Sequence, residues 1–446
     1  RDMRGQKYVL QVAPEDCTGC NLCVEVCPAK DRQNPEIKAI NMMSRLEHVE
    51  EEKVNYDFFL NLPEIDRSKL ERIDIRTSQL ITPLFEYSGA CSGCGETPYI
   101  KLLTQLYGDR MLIANATGCS SIYGGNLPST PYTTDANGRG PAWANSLFED
   151  NAEFGLGFRL TVDQHRARVM RLLEQFAGQI PAGLNDALHA DATPEVRREQ
   201  VAELRQALQG VAGAEQLLTD ADALVEKSIW LIGGDGWAYD IGFGGLDHVL
   251  SLTENVNILV LDTQCYSNTG GQASKATPLG AVTKFGEHGK RKARKDLGVS
   301  MMMYGHVYVA QISLGAQLNQ TVKAIQEAEA YPGPSLIIAY SPCEEHGYDL
   351  ALSHDQMRQL TATGFWPLYR FDPRRADEGK LPLALDSRPP SDALAETLMQ
   401  EQRFRRLNAQ QPEVAEQLWK DAAADLQKRY DFLAQLAGKA EKSTSD

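Results

Sequence analysis

Four short apolar runs in the second half of the chain, each rich in valine, isoleucine and leucine, constrain its fold more than any other feature. They occupy residues 228–232, 257–262, 307–312 and 335–340, and the clearest helical pattern between them covers 317–330. Strands that are apolar without alternation and are separated by helices are typical of a parallel sheet covered on both faces. The sequence therefore predicts an α/β fold, in which ligands bind at the carboxyl ends of the strands.

Patterning divides the rest of the chain into further units. Residues 1–40 form a small cysteine-rich unit, and residues 41–86 are polar and predict a linker. We expect residues 87–446 to form the main domain, which starts with loops rich in glycine, serine and asparagine. Within it, 156–228 has the spacing of a helical insertion without cofactor chemistry, and 345–446 that of a helical tail.

Composition limits the classes of partner. The 446 residues carry a formal net charge of −15, which argues against non-specific binding to nucleic acid or to anionic membranes, because both favour basic surfaces. No apolar run approaches the roughly 20 residues that a membrane-spanning helix needs, and the first residues do not resemble a signal peptide. We expect a cytoplasmic protein that binds neither nucleic acid nor membranes.

The first of two cysteine groups has the spacing of an iron–sulfur site. Cys17, Cys20, Cys23 and Cys27 form the C-x2-C-x2-C-x3-C-P run of bacterial ferredoxins. Three thiolates can hold one cubane, and the fourth serves the other cluster in two-cluster ferredoxins; a zinc site or inert thiols are the weaker alternatives. Because the sequence holds no second run of this kind, we expect residues 1–40 to be the second half of a two-cluster ferredoxin-like domain and the chain to be a C-terminal portion.

Two motifs follow the first two predicted strands. The glycine-flanked Asp235 follows one strand, and the segment LDTQCYSNTGGQ (261–272) follows the next. A lone Gly-Asp-Gly is weak evidence, since such aspartates are common in turns. The two motifs together, both after parallel strands, resemble the thiamine-diphosphate-binding fold. The alternative is that Asp235 lies in an ordinary turn and Asn268 in an ordinary loop.

The chemistry of these motifs suits a diphosphate held by magnesium. Mg²⁺ prefers about six oxygens, commonly from carboxylates and phosphates. Asp235 can supply a carboxylate, Thr263 a hydroxyl, and Cys265 its backbone carbonyl. The glycines beside Asp235 let the backbone approach the anion closely, and a helix predicted to begin near Ile241 would direct its positive end towards it.

The second cysteine group is dispersed. Cys91 and Cys94 form a C-x-x-C in a glycine-rich loop, whereas Cys119 and Cys343 stand singly. Cys343 follows the predicted strand 335–340, so it lies at the same end of the sheet as the two motifs. The residues alone favour a four-thiolate cluster but leave a zinc site or buried free cysteines open.

With these residues assembled, the chain resembles the pyruvate:ferredoxin (flavodoxin) oxidoreductases across essentially its full length. The resemblance is carried by the ferredoxin run and by CSGCGE (91–96), ATGCSS (116–121), GGDGWAYDIG (233–242), LDTQCYSNTGGQ (261–272) and SPCEEHG (341–347). Several of these motifs are long and specific. The resemblance implies a thiamine-diphosphate-binding fold, with a parallel sheet covered by helices, preceded by a partial ferredoxin-like domain.

The resemblance also implies residue roles. A [4Fe–4S] cluster close to the thiamine would be held by Cys91, Cys94, Cys119 and Cys343. Contacts to thiamine diphosphate would come from Glu96, Cys119, Gly234, Asp235, Gly236, Trp237, Thr263, Gln264, Cys265, Tyr266, Ser267 and Asn268. Mg²⁺ would bind Asp235, Thr263 and the Cys265 carbonyl. Asn268 would also approach the substrate, which makes it the catalytic candidate.

The implied activity is oxidative decarboxylation of pyruvate with coenzyme A to acetyl-CoA and CO₂. Electrons would pass singly through [4Fe–4S] clusters to ferredoxin or flavodoxin. In the family, an N-terminal domain supplies the glutamate that activates thiamine and the groups that bind the substrate carboxylate. None of these can be assigned in this chain, so we expect it to be inactive alone and to work with the missing N-terminal domains, as a homodimer.

Other interpretations remain. The protein could be a sibling enzyme acting on 2-oxoglutarate, indolepyruvate or oxalate, a non-catalytic electron-transfer subunit, or a structural zinc protein. The basic stretch 284–295 is either a solvated loop or a dock for coenzyme A phosphates or an acidic electron carrier. His288, His306 and His346 are predicted to be structural.

Overall fold

A computed structural model describes residues 5, 7–65, 67, 70, 72–125, 129–391 and 393–439. Within these residues one eight-stranded sheet runs through the centre of the molecule. The strands are β1 (Met111–Ala116), β2 (Ala142–Ser146), β3 (Ser228–Gly234), β4 (Asn257–Asp262), β5 (Tyr308–Ile312), β6 (Ser335–Tyr340), β7 (Tyr369–Phe371) and β8 (Leu383–Leu385). Their order is β2-β1-β3-β4-β6-β5-β7-β8; the first six strands are parallel, and the β5–β7 and β7–β8 pairings are antiparallel.

The four predicted strands are present as β3 to β6, and every residue of β4, β5 and β6 is buried. Successive residues of a strand point to opposite faces, so each strand contributes to two cores. In β3, Leu231 packs into the core on one face, and Trp230 and Ile232 pack into the core on the other. The prediction of an α/β fold with a mostly parallel sheet is confirmed.

Helices cover both faces of the sheet. The α-helices are α1 (Leu22–Val26), α2 (Arg45–Leu60), α3 (Ile75–Ser78), α4 (Thr97–Tyr107), α5 (Cys119–Gly124), α6 (Asn151–Phe176), α7 (Ala182–His189), α8 (Pro194–Ala207), α9 (Glu215–Asp220), α10 (Phe243–Ser251), α11 (Leu297–Met302), α12 (Leu318–Glu329), α13 (Ser353–Ala362), α14 (Leu394–Leu398), α15 (Gln402–Gln410) and α16 (Pro412–Leu436). Side chains of α4 and α12 contribute to one core, and those of α10, α11 and α13 to the other. No helix in the described part of the chain is long and apolar enough to cross a membrane.

The predicted helical insertion corresponds to α6 to α9, which lie between β2 and β3. It begins at Asn151, earlier than predicted, because α6 first crosses the sheet and then extends away from it. Ala152 near the start of α6 belongs to the sheet core, whereas Val169 and Leu173 pack with α8 and α9 in a separate core. The insertion therefore contributes its own apolar core beside that of the sheet.

Several local predictions were wrong. The helix expected near Ile241 begins earlier, because a π-helical segment, Gly236–Ile241, follows β3 directly. β1 and β2 lie where loops were predicted, and β7 and β8 interrupt the predicted helical tail. The predicted linker contains the sixteen-residue helix α2, none of whose residues is buried. The division into 1–40, 41–86 and 87–446 stays a prediction, and residues 440–446 of the tail lie outside the described residues.

Two glycines of α6 test how the insertion is attached to the sheet. A methyl group at Gly155 would collide with the Leu231 side chain of β3, whereas a methyl group at Gly157 would meet nothing within 4 Å. We expect Gly155→Ala to lower the free energy of unfolding by about 1–3 kcal/mol through overpacking. Gly157→Ala should raise it by about 0.5–1 kcal/mol, because alanine is the better helix former.

Denaturant unfolding followed by circular dichroism measures both changes, and Gly157→Ala is the matched control. Equal effects of the two substitutions would contradict the contact between α6 and β3.

Candidate cofactor site

The candidate residues meet because four neighbouring strands run in the same direction. β1, β3, β4 and β6 are adjacent and parallel, so their carboxyl ends lie at one edge of the sheet. Asp235 follows β3, Thr263 follows β4, Cys343 lies just beyond β6, and Cys119 just beyond β1. The sequence predicted three of these placements. It missed β1, which positions Cys119.

The hydroxyl of Thr263, a candidate magnesium ligand, lies within hydrogen-bonding distance of the other two candidates. Thr263 Oγ1 is 3.0 Å from Asp235 Oδ1 and 3.1 Å from the carbonyl oxygen of Cys265. The Ser267 hydroxyl donates to the same Thr263 oxygen across 2.7 Å. Oxygen atoms that converge in this way match the ligands that Mg²⁺ prefers.

The charge of Asp235 also fits a cation. Its side chain is buried and accepts hydrogen bonds from the hydroxyls of Thr263 and Ser274. Burial, followed by the charge of Asp262, raises the pKa of Asp235. Asp262 is buried as well but pairs with Arg294 at 2.8 Å, whereas no ion pair to Asp235 exists among the described residues. A buried carboxylate without a cationic partner is costly, and a divalent ion would remove that cost.

A cavity of about 120 Å³ lies in front of these oxygens. The predicted cofactor residues on its wall are Glu96, Cys119, Gly234, Asp235, Gly236, Trp237, Thr263, Cys265, Tyr266, Ser267 and Asn268. Gly236 admits the Tyr266 ring, since a methyl group at this position would collide with it. Gln264 is the exception, because it lines a different cavity of about 620 Å³ together with Lys284, Arg403 and others.

Five further residues line the same cavity without having been predicted. They are Thr117, Gly118, Ser120, Phe148 and Thr269. Four of them lie inside the ATGCSS and LDTQCYSNTGGQ motifs, so the motifs already contained the signal. Phe148 follows β2 and belongs to neither motif, and nothing in the sequence singles it out.

The dispersed cysteines surround a second cavity, of about 130 Å³. Cys91, Cys94, Cys119 and Cys343 all line it. Burial raises the pKa of Cys119, and the charges of Glu96 and of the other three cysteines add to the rise. Among the described residues no three His, Cys, Asp or Glu side chains close around a point tightly enough for a single metal ion.

The two cavities share a wall. Glu96, Cys119, Thr263, Ser267 and Asn268 line both of them. The Ser267 hydroxyl links the two ligand sets directly, because it donates to Thr263 and accepts from the Cys343 thiol at 3.3 Å. Groups bound in the two cavities would therefore be separated by single side chains.

Glu96 stands in this shared wall. It is buried and accepts a hydrogen bond from the Tyr123 hydroxyl at 2.9 Å. Burial raises the pKa of Glu96 to about 8, the charges of Cys343 and Asp235 add to the rise, and the hydrogen bond from Tyr123 opposes it. Glu96, a predicted thiamine contact, is therefore a buried carboxyl group with a raised pKa.

The N-terminal cysteine run lies against the second group. Burial, then the nearby Cys20 and Cys17, raises the pKa of Cys23, whereas the Cys27 thiol donates instead to the Ala29 carbonyl. The two cysteine loops touch: the Ser92 hydroxyl donates to Thr18 at 3.2 Å. Gly93 also lies near Cys20: a methyl group at residue 93 would be 3.9 Å from the Cys20 Cβ, an ordinary contact, but 2.9 Å from the Leu350 Cβ, which requires a glycine there.

The basic stretch 284–295 is only partly free. Lys290 donates to the carbonyls of Ser274 and Thr277, and Arg294, with 12% of its side chain exposed, pairs with Asp262. Arg291 and Lys292 are exposed. A dock for anions therefore stays a prediction that could use only part of the stretch.

Two of the three histidines have structural contacts. His346 is buried with its Nε2 2.8 Å from the Thr263 carbonyl, and the Nε2 of His306 is 2.9 Å from the Leu252 carbonyl. His288 is exposed, with its Nδ1 2.9 Å from the Gln411 amide.

Comparisons with known proteins agree with this geometry. Residues 204–339 match the family model of the thiamine pyrophosphate enzyme, C-terminal TPP binding domain, and residues 10–30 match that of the 4Fe-4S binding domain. The chain is 94% identical over 446 residues to the probable pyruvate-flavodoxin oxidoreductase of Escherichia coli (strain K12). It is 48% identical over 451 residues, 98% of the chain, to the pyruvate:ferredoxin oxidoreductase of Moorella thermoacetica.

The chain spans 38% of the length of each of these relatives. A solved 2-oxoglutarate:ferredoxin oxidoreductase from Magnetococcus marinus aligns with 15% identity and a TM-score of 0.37, over 62% of this chain and 70% of that one. That likeness is too distant for a comparison of site residues. The chain is thus similar, over nearly its whole length, to a part of proteins named pyruvate-flavodoxin and pyruvate:ferredoxin oxidoreductase, and it contains the matches to the thiamine pyrophosphate and 4Fe-4S binding domain models.

Proposed function

We propose that this chain is the thiamine-diphosphate- and iron–sulfur-binding part of an enzyme that converts pyruvate and coenzyme A to acetyl-CoA and CO₂ and passes the electrons singly to ferredoxin or flavodoxin. The observation that carries the proposal is the shared wall between the 120 Å³ cavity beside Asp235 and the 130 Å³ cavity lined by four cysteines. When bound, thiamine diphosphate supplies the electron sink that lets a 2-oxoacid lose CO₂, and iron–sulfur clusters supply one-electron acceptors.

The oxygen cluster would anchor the cofactor. Asp235, Thr263 and the Cys265 carbonyl bind Mg²⁺ in this proposal, and Mg²⁺ in turn holds the diphosphate. Gly234 has no close neighbour that would block an approaching phosphate, since a methyl group there would meet only the Leu261 carbonyl oxygen, at 3.9 Å.

The shared wall would control the chemistry between the two cavities. Asn268 lines both cavities and can reach a substrate bound at the thiamine. Glu96, as a buried carboxyl group, can hold a proton in contact with the cofactor. Cys119 takes part in both sites, because it would bind the cluster while lining the thiamine cavity.

Electrons would leave through the N-terminal unit. Cys91, Cys94, Cys119 and Cys343 bind the cluster nearest the thiamine in this proposal, and Cys17, Cys20, Cys23 and Cys27 serve the ferredoxin-like clusters. The contact between Ser92 and Thr18 supports this order, because it brings one cysteine loop against the other.

The substrate and partners rest on the relatives. One named relative is a probable pyruvate-flavodoxin oxidoreductase, and the other is a pyruvate:ferredoxin oxidoreductase. We propose that the remaining parts of such a protein bind the pyruvate carboxylate and activate the thiamine, and that the enzyme is a cytoplasmic homodimer. Assay of the whole protein against pyruvate, 2-oxoglutarate, indolepyruvate and oxalate, with reduction of flavodoxin and ferredoxin as readout, tests the substrate. A preference for another 2-oxoacid would overturn it.

Removal of one cysteine tests the cluster. We expect Cys343→Ala to lower the iron content by about four atoms per chain, because a [4Fe–4S] cluster loses a ligand. Cys265→Ala is the matched control, since Cys265 is buried close by but would contribute only its carbonyl. Iron analysis and low-temperature electron paramagnetic resonance of the reduced proteins measure the difference. Equal iron content in the two variants would contradict the assignment.

Two buried aspartates separate metal binding from stability. We expect Asp235→Asn to weaken magnesium-dependent binding of thiamine diphosphate by more than about tenfold, while the metal-free protein becomes no less stable, because an unpaired buried charge is removed. Asp262→Asn should instead destabilise the protein, by up to about 3 kcal/mol, since it leaves the largely buried Arg294 without its partner.

Calorimetric titration and thermal unfolding distinguish the two aspartates. A loss of stability in Asp235→Asn as large as that in Asp262→Asn would show that Asp235 is a structural residue.

A further inference from the structure

Gln264 has an unusual backbone conformation for its position. Among the described non-glycine residues with positive φ, which are Asn21, Tyr87, Gln264 and Phe285, it is the one that is buried, with φ of 64° and no exposed surface. L-residues rarely adopt this left-handed conformation, and it persists only where the surroundings enforce it. Gln264 stands between Thr263 and Cys265, the two loop residues that would bind Mg²⁺.

Contacts on three sides enforce the conformation. The backbone N–H of Gln264 donates to Asp262 Oδ1 at 3.1 Å, and its carbonyl accepts from the Thr277 hydroxyl at 2.6 Å. The side-chain oxygen of Gln264 accepts from Arg403 Nη2 at 2.8 Å. The last contact joins the loop to α15, which begins at Gln402 and lies beyond the matched thiamine-binding region at 204–339.

Further hydrogen bonds fix the position of Arg403. Its Nε donates to Glu401 at 2.6 Å, and Glu401, with no exposed surface, also accepts from the Gln356 amide at 2.8 Å. The Arg403 carbonyl accepts from the Val282 N–H at 2.9 Å. The Arg403 side chain is therefore held by Glu401, which Gln356 of α13 holds in turn. The Arg403 backbone is held by Val282.

The left-handed residue has a geometric consequence. In an extended strand, residues 263 and 265 would lie about 6.6 Å apart along the chain, because each residue advances it by about 3.3 Å. A single left-handed residue reverses the chain, so that the Thr263 hydroxyl and the Cys265 carbonyl lie 3.1 Å apart and beside Asp235. The orientation of two of the three proposed magnesium ligands thus depends on the conformation of Gln264.

We propose that Gln264 and Arg403 are positioning residues for the metal-binding loop, and that the C-terminal helical segment sets the affinity of this loop for its cation. The inference rests on the proposed function, because it assumes a divalent cation at Asp235, Thr263 and Cys265. It assigns a role to a part of the chain in which the sequence motifs indicated no chemistry.

The test is binding of Mn²⁺, as a paramagnetic substitute for Mg²⁺, to the whole protein with thiamine diphosphate. We expect Arg403→Met combined with Glu401→Gln, which leaves no buried charge behind, to raise the Mn²⁺ dissociation constant by about 10- to 100-fold, as loss of outer-sphere partners does. The matched control is Arg370→Met with Asp386→Asn and Glu327→Gln. It removes a largely buried ion-pair network, in which Arg370 contacts Asp386 at 2.9 Å and Glu327 at 2.6 Å, far along the sheet at β7, and should change the constant less than about twofold.

A second pair of variants tests the backbone directly. Gln264→Ala should weaken Mn²⁺ binding more than Gln264→Gly, because glycine adopts positive φ without strain. Electron paramagnetic resonance of free Mn²⁺ measures affinity, and circular dichroism verifies folding. Wild-type affinity in the Arg403 variant, an equal loss in the Arg370 control, or equal affinities of the two Gln264 variants would overturn the inference. If the wild-type protein bound no Mn²⁺ with thiamine diphosphate, the proposed function itself would fail.

Discussion

The parallel pairing of β1, β3, β4 and β6 is the constraint on which the site depends. Their backbone hydrogen bonds fix the register, for example Ile232 opposite Leu259 and Leu261 opposite Ala339. Register fixes which residues emerge at the carboxyl edge, and that edge carries Asp235, Thr263, Cys343 and Cys119. Because a parallel sheet must be covered on both faces, the helices leave this edge as the place where polar groups can converge on a ligand.

Asp235 and Asp262 show how the same edge is divided between stability and binding. Both carboxylates are buried at the ends of neighbouring strands. Asp262 is neutralised by Arg294, whose guanidinium also lies over the Trp366 ring, with its central carbon 4.8 Å from the ring centroid. Asp235 has only hydroxyl partners among its hydrogen bonds. The fold thus neutralises the Asp262 carboxylate internally and leaves the Asp235 carboxylate free to pair with a bound cation.

The sequence predicted the parts of this arrangement that local chemistry determines. β3 to β6 are continuous apolar runs, which predict the sheet. The glycine-flanked Asp235 and the LDTQCYSNTGGQ segment follow two of these runs, which predicts that the polar site residues lie at the carboxyl edge of the sheet. β1 was missed because glycine and asparagine surround it, and β7 because three residues give no periodicity. The contact of Arg403 with Gln264 joins residues 139 positions apart, which no pattern within either segment encodes. Tertiary contacts of this kind decide the loop's conformation, and they require the fold.

The contact between the two cysteine loops, at Ser92 and Thr18, has a kinetic consequence for the proposed enzyme. Redox proteins that exchange electrons by collision depend on concentration and on the ionic strength that governs their encounter. In the proposed enzyme the partner loops belong to one chain and touch, so transfer between clusters held there would be first order and insensitive to dilution or salt. Only the transfer of electrons to a soluble carrier would then be bimolecular. The concentration of that carrier could therefore control the rate of this step alone.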